Sequence, residues 1–249
     1  MIYRYIIQKD MEEKLFFKNA EGLTLCGILS LPEKQATKCI ILCHGITVDK
    51  DEGGVFVALT NALADRGFAV FRFDFRAHGE SEGNSIDLTV TGKLHDLETA
   101  VKLLEEKGFK TFGLLGASFG GGIASLYTSR HAGKIKALVL WNALLDYLQW
   151  LKPTTEWGKK YFGKPAMERI EKQGYTEIGS IKYKIGQALM DDMENLSPME
   201  ELMKVEIPIL FVHGSNDTYI DVEDSGFHDR AQDAEKATET TVQFFKAHL

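Results

Sequence analysis

Five short apolar runs punctuate the chain, at Cys39–Cys43, Phe68–Phe73, Thr111–Leu115, Ala137–Leu140 and Ile207–Val212. None keeps a strict apolar/polar alternation, so each predicts a strand covered on both faces, as in the middle of a parallel sheet. Between them apolar residues recur at helical spacing: Val55, Phe56, Leu59 and Leu63, then Leu94, Leu97, Val101 and Leu104, then the segment after Ser118. Strands alternating with helices predict an α/β class fold, a doubly wound and mostly parallel sheet. Upstream, Lys14–Asn19 and Leu23–Leu31 predict a hairpin turning at Ala20-Glu21-Gly22. The chain closes on a helix over Asp229–Leu249, with Asp229 as N-cap, Gln232 three residues on, and Ala231, Ala234, Thr238 and Phe245 on one face.

One stretch breaks the alternation. The roughly sixty residues between the fourth and fifth runs are too many for a plain crossover, so 144–204 is expected to be a cap inserted into a single 1–249 domain. Within it Leu144–Tyr161 and Ile185–Glu194 read as helical and Gly174–Tyr183 as a small hairpin. It and the strand end before it carry Trp141, Tyr147, Trp150, Trp157, Tyr161, Phe162, Tyr175 and Tyr183. These rings either pack the cap or wall an apolar ligand pocket, and the pattern alone leaves both open.

Composition narrows the class. The chain has 249 residues, 44% of them hydrophobic, with a formal net charge of -7. That charge gives no reason to expect nucleic acid or an anionic membrane as partner. No apolar stretch reaches membrane-spanning length and the first residues lack a signal-peptide pattern, so a cytoplasmic location without a membrane span is expected. Three cysteines, Cys26, Cys39 and Cys43, are an odd number; they are expected to be buried and reduced, with neither a disulfide framework nor a metal cluster.

The sharpest chemical signal is Gly116-Ala117-Ser118-Phe119-Gly120. Five residues with three fixed positions occur by chance in many chains. Here the pattern follows an apolar run and opens, through Gly120-Gly121-Gly122, into a predicted helix, which is the order of a nucleophile elbow. A turn that tight strains the central residue and leaves no room for a Cβ on either flank. It would expose Ser118 as a nucleophile and set the Phe119 amide at a helix start, where it favours a developing oxyanion.

With these motifs the chain resembles the α/β-hydrolase superfamily over nearly its whole length, and within it serine esterases of the bacterial cinnamoyl/feruloyl esterase and monoacylglycerol lipase type. His44-Gly45-Ile46 resembles the oxyanion loop, Asp74-Phe75-Arg76-Ala77-His78-Gly79-Glu80-Ser81 resembles the D-x-R-G-x-G-x-S turn with Ala77 in place of a common glycine, and His213-Gly214-Ser215-Asn216-Asp217 resembles the acid loop. The resemblance implies an oxyanion hole from the amides of Ile46 and Phe119, with His44 bracing its loop. It also implies a conformational role for Arg76 and His78, and a catalytic triad of Ser118, Asp217 and His228, with Asp146 as the fallback acid. It implies no cofactor, and a small soluble acyl or hydroxycinnamoyl ester as the partner.

The base strains this assignment. Ten residues separate Asp217 from His228, fewer than a parallel crossover needs. Either a stretch is missing between them, by omission or by deletion, or His228 reaches the site by an unusual path. A serine peptidase or thioesterase on the same triad, a non-catalytic binding protein, and a homodimeric state all stay open at this point.

Overall fold

The computed structural model of the protein describes residues 11–131, 133–148, 156–214 and 231–249. Seven strands form one sheet, and their spatial order is not their order in the chain. The hairpin supplies β1 (Met11–Lys18) and β2 (Thr24–Leu31), antiparallel with Lys18 opposite Thr24. Then come β3 (Lys38–Cys43), β4 (Ala69–Phe73), β5 (Thr111–Ala117), β6 (Ile135–Trp141) and β9 (Ile209–Val212). The sheet runs β1-β2-β4-β3-β5-β6-β9, antiparallel as far as the β2/β4 pair and parallel from β4 onward.

Alternation within β3 shows why both faces are apolar. Cys39, Ile41 and Cys43 join one core cluster with Phe71, Phe73 and Leu114, while Ile40 and Leu42 join another with Val70, Leu115 and Val139. On the first face lie α2 (Val90–Glu106) and α3 (Phe119–Arg130), through Leu97, Val101 and Ile123. On the second lie α1 (Val55–Ala64) and the closing helix α8 (Ala231–His248), through Phe56, Leu59, Val242 and Phe245. Burial of a continuous apolar strand on both sides, at roughly 25 cal/mol per Å² removed from water, is what selects this layered arrangement. The fold is doubly wound α/β, as its pattern predicts. All three cysteines are free and buried, and burial pushes the thiols of Cys39 and Cys43 up. No helix among the described residues is long and apolar enough to cross a membrane.

The stretch after β6 departs from expectation in places. Residues 144–147 are not helical, because the Leu144 amide donates to Ser118 O and the Leu145 carbonyl accepts from Met199 N. The helices there are α4 (Glu156–Tyr161), α5 (Lys164–Gln173), α6 (Gln187–Asn195) and α7 (Pro198–Leu202), the last capped by the Ser197 hydroxyl. The small hairpin forms as β7 (Thr176–Ile178) and β8 (Tyr183–Ile185). In α8 the buried face is centred on Ala237, Thr241, Val242 and Phe245, with Ala234 and Thr238 half-buried at its margin. The Asp229 cap, Trp150 and the residues before Met11 lie outside the described residues. At the far end of the sheet β9 has no outer neighbour among the described residues, and its Phe211 is 57% exposed.

Candidate active site

Where β5 ends, the chain reverses through Ser118 at φ 51°, ψ -122°, and enters α3 with Phe119 as its first residue. A non-glycine residue held there costs about 1–3 kcal/mol, so the surroundings must enforce it. They do so with hydrogen bonds on both sides of the residue. The Ser118 amide donates to Trp141 O at 2.9 Å, and its carbonyl accepts from Gly121 N and Leu144 N, each at 2.9 Å. Close backbone packing completes the clamp. A Cβ at position 116 would strike the Gly120 backbone, and one at position 120 would strike the carbonyls of Cys43 and His44. The elbow is therefore pressed against the end of β3, and a Cβ at Gly45 would stand 3.5 Å from that of Ser118. Ser118 itself is half-buried.

Three buried side chains hold the loop after β3. His44 places Nδ1 2.7 Å from Gly45 O and accepts from the Phe75 amide at Nε2, 3.0 Å away, so its ring proton sits on Nδ1. Burial drives its pKa well down, and with both nitrogens engaged it braces the loop as the resemblance implied. Glu52 accepts from the Gly45 amide at 2.8 Å, its carboxyl pushed up to about 7 by burial. His78 Nε2 lies 2.8 Å from Ile46 O and Nδ1 2.8 Å from Arg76 O. Burial first, and the nearby Lys93 second, lower His78 to about 3. The Ile46 peptide is thus gripped by its carbonyl, while its amide makes no hydrogen bond with a described residue.

The hairpin β7/β8 reaches this loop. Tyr183 sets its hydroxyl 3.2 Å from Ala77 O and 3.3 Å from His78 Nδ1, with the two rings 4.8 Å apart. Gly179, in the hairpin turn, faces Thr47. Tyr147 stacks on Phe119 at 5.7 Å, whereas Trp141 faces the other core and donates to Thr241 Oγ1 at 2.9 Å. Of these aromatic residues, Trp141 packs into a core, while Tyr147 and Tyr183 stand beside the elbow and the neighbouring loop. Glu52 carries no local sequence signal, and for Tyr183 the aromatic pattern marks the ring but not its contact with His78, since both partners lie elsewhere in the chain.

The turn after β4 is a bonding hub. Asp74, fully buried, accepts from Lys50 N, Lys50 Nζ and Glu80 N at 2.7, 2.8 and 2.9 Å, and Arg76 grips Asp96 through Nε and Nη2 at 3.0 and 2.8 Å. Ligand atoms of Cys26, Asp74 and Glu80 lie within 4.8 Å of one another, but Lys50 Nζ bonds both carboxylates, so the cluster is an internal ion pair. Asp146 is exposed and accepts from Leu148 N in a local turn. Asp217 and His228 lie outside the described residues. Of the expected site, the structure brings together Ser118, Phe119 and the Ile46 loop.

Residues 34–247 match the model of a family described as serine aminopeptidase, S33. Among sequence relatives, the chain is 26% identical over 220 residues to the Bacillus subtilis (strain 168) protein YqkD, a match taking in 86% of this chain and 66% of that protein, just under two thirds of its length. It is 26% identical over 234 residues to an Escherichia coli 31.7 kDa protein of the traX-finO intergenic region, covering 81% of this chain and 79% of that one. Among solved structures, Est1E from Butyrivibrio proteoclasticus with ferulic acid bound superposes with a TM-score of 0.79 at 19% identity, over 94% of this chain and 98% of that one. The Pyrococcus furiosus esterase Pf2001 gives 0.70 at 18%, over 96% and 93% of the two chains. Mouse alpha/beta hydrolase domain-containing protein 10 gives 0.74 at 19%, over 94% and 99%. At these identities the structures share the fold.

Proposed function

Because the chain belongs to the serine aminopeptidase S33 family of α/β hydrolases, we propose that it is a serine carboxylic-ester hydrolase acting on small soluble acyl or hydroxycinnamoyl esters. The observation that carries this reading is the strained Ser118, lifted at φ 51° beside the Gly45-Ile46 loop. In the proposed reaction Ser118 Oγ attacks the ester carbonyl while His228 takes its proton and Asp217 orients the imidazole. The amides of Ile46 and Phe119 hold the oxyanion as the C–O bond to the alcohol breaks, and His228 returns the proton to the departing alcohol. Water, deprotonated by the same base, then releases the acyl group from Ser118. The ester class draws further support from the likeness in fold to Est1E and to the Pyrococcus esterase.

Turnover of p-nitrophenyl acetate and methyl ferulate, set beside a matched p-nitroanilide, tests the reading. Ester cleavage that falls at least about a thousandfold in Ser118→Ala is expected, with the amide left largely intact. Equal turnover of amide and ester would place the chain among peptidases instead. His228→Ala is expected to lose turnover to a similar degree; retained activity would put the base elsewhere.

A further inference from the structure

Lys93, on α2, is an oddity the reaction above does not use. Its side chain is 0% exposed, and its Nζ has no hydrogen-bond partner among the described residues. Buried lysines are rarely left unpaired, because desolvating an ammonium costs far more than its hydrocarbon stem recovers. Nearby acids are engaged elsewhere: Asp96, three residues along the same helix, is bonded by Arg76 and Asn19, and Glu52 by the Gly45 amide. Cys43 of β3, Arg76, His44 and His78 complete the titratable and charged surroundings.

What Nζ does face are two rings, Phe75 at 4.8 Å and Phe119 at 5.1 Å from centroid. These belong to opposite halves of the oxyanion site. Phe119 follows the nucleophile, and the Phe75 amide holds His44, which in turn holds the Gly45 carbonyl beside Ile46. We propose that Lys93 is a positioning residue for the oxyanion hole, a buried cation that draws the Phe119 and Phe75 rings together and so ties the elbow to the loop that carries Ile46. The assignment rests on the ester-hydrolase reading and deepens it. It accounts for the missing ion partner, because a carboxylate beside Nζ would compete with both rings for the charge. Burial holds Lys93 down to about 7, so the cation is lost above neutral pH.

The test is kcat and KM for p-nitrophenyl acetate across pH 6–9 in the wild type, Lys93→Met and Lys93→Leu, with a thermal melt of each. Expected are a tenfold fall in kcat with KM within twofold in both variants, and a melting temperature at pH 6 no lower than that of the wild type. The wild type should lose kcat above about pH 7, and the variants should lack that alkaline fall. Wild-type kcat and an unchanged pH profile in the variants would overturn the assignment. So would collapse of both folds, which makes Lys93 purely structural. A wild type without Ser118-dependent turnover would sink the hydrolase reading as well, which separates the two failures.

Discussion

Ala77, in the turn after β4, occupies a left-handed conformation, φ 61°, that favours glycine. For an alanine that conformation costs about 1–2 kcal/mol, part of which a glycine would give back to the unfolded chain as entropy. Ala77→Gly is therefore expected to raise the melting temperature by roughly 1–3 °C, read by calorimetry, without changing turnover. A second single-residue prediction concerns Tyr183, whose hydroxyl touches the Ala77 carbonyl and His78 while His78 grips Ile46. Tyr183→Phe keeps the ring but frees His78 to tilt, and a threefold to tenfold loss in kcat with little change in KM is expected for p-nitrophenyl acetate. Ser118 was legible in the sequence because a strained elbow demands glycines at fixed offsets, which a local pattern can display. The Tyr183–His78 contact was not, since it joins residues 105 apart that no local pattern relates. Lys93 lies between these cases. It stands in line with Leu97, Ala100 and Leu104 along α2, but a lysine at that spacing carries no sequence sign of burial, and its two aromatic neighbours come from other elements.

Among the elements, α3 is where sequence and site are most tightly bound together. Its first turn is nearly all glycine, because β3 and the stretch after β6 come within backbone contact of it. Gly120→Ala would drive a Cβ into the Cys43 and His44 carbonyls, which cannot move without moving the loop after β3. A loss of about 2–3 kcal/mol in denaturant unfolding, with a larger proportional loss of turnover, is expected. The strands were predictable because runs apolar on both faces have few alternatives in a chain with helices between them. Helix α5 was harder. Only Ala166 and Ile170 of its residues are buried, too thin a stripe for a 3.6-residue period to stand out, although Pro165 at its start and Gly174 at its end are boundary signals. The helix expected from Leu144 failed for a different reason: the Ser118 carbonyl takes the Leu144 amide, and the elbow overrides local propensity.

Across the whole molecule, buried ionisable groups set how stability responds to pH. His78, lowered to about 3 by burial and Lys93, and His44, driven well down by burial, are kept neutral in the fold. Their contribution is fully present above the unfolded histidine value near 6.5 and is lost as pH falls below it. Glu52, raised to about 7 by burial, opposes this, since its carboxyl favours the fold below about 4.5 and ceases to as pH rises through 7. Lys93, lowered to about 7, favours the fold increasingly as pH climbs from 7 toward the ordinary lysine value. Two histidines kept neutral act together against one glutamate, and Lys93 adds to them above pH 7, so the melting temperature is expected to rise from pH 5 to 7 and to keep rising toward pH 9. Lys93→Met should flatten the upper part of that curve. The most direct measurement is the intact mass of the protein after exposure to a fluorophosphonate probe, with Ser118→Ala in parallel. A single adduct on the wild type and none on the variant is the predicted result, and a wild type that stays unmodified would contradict an activated nucleophile at Ser118.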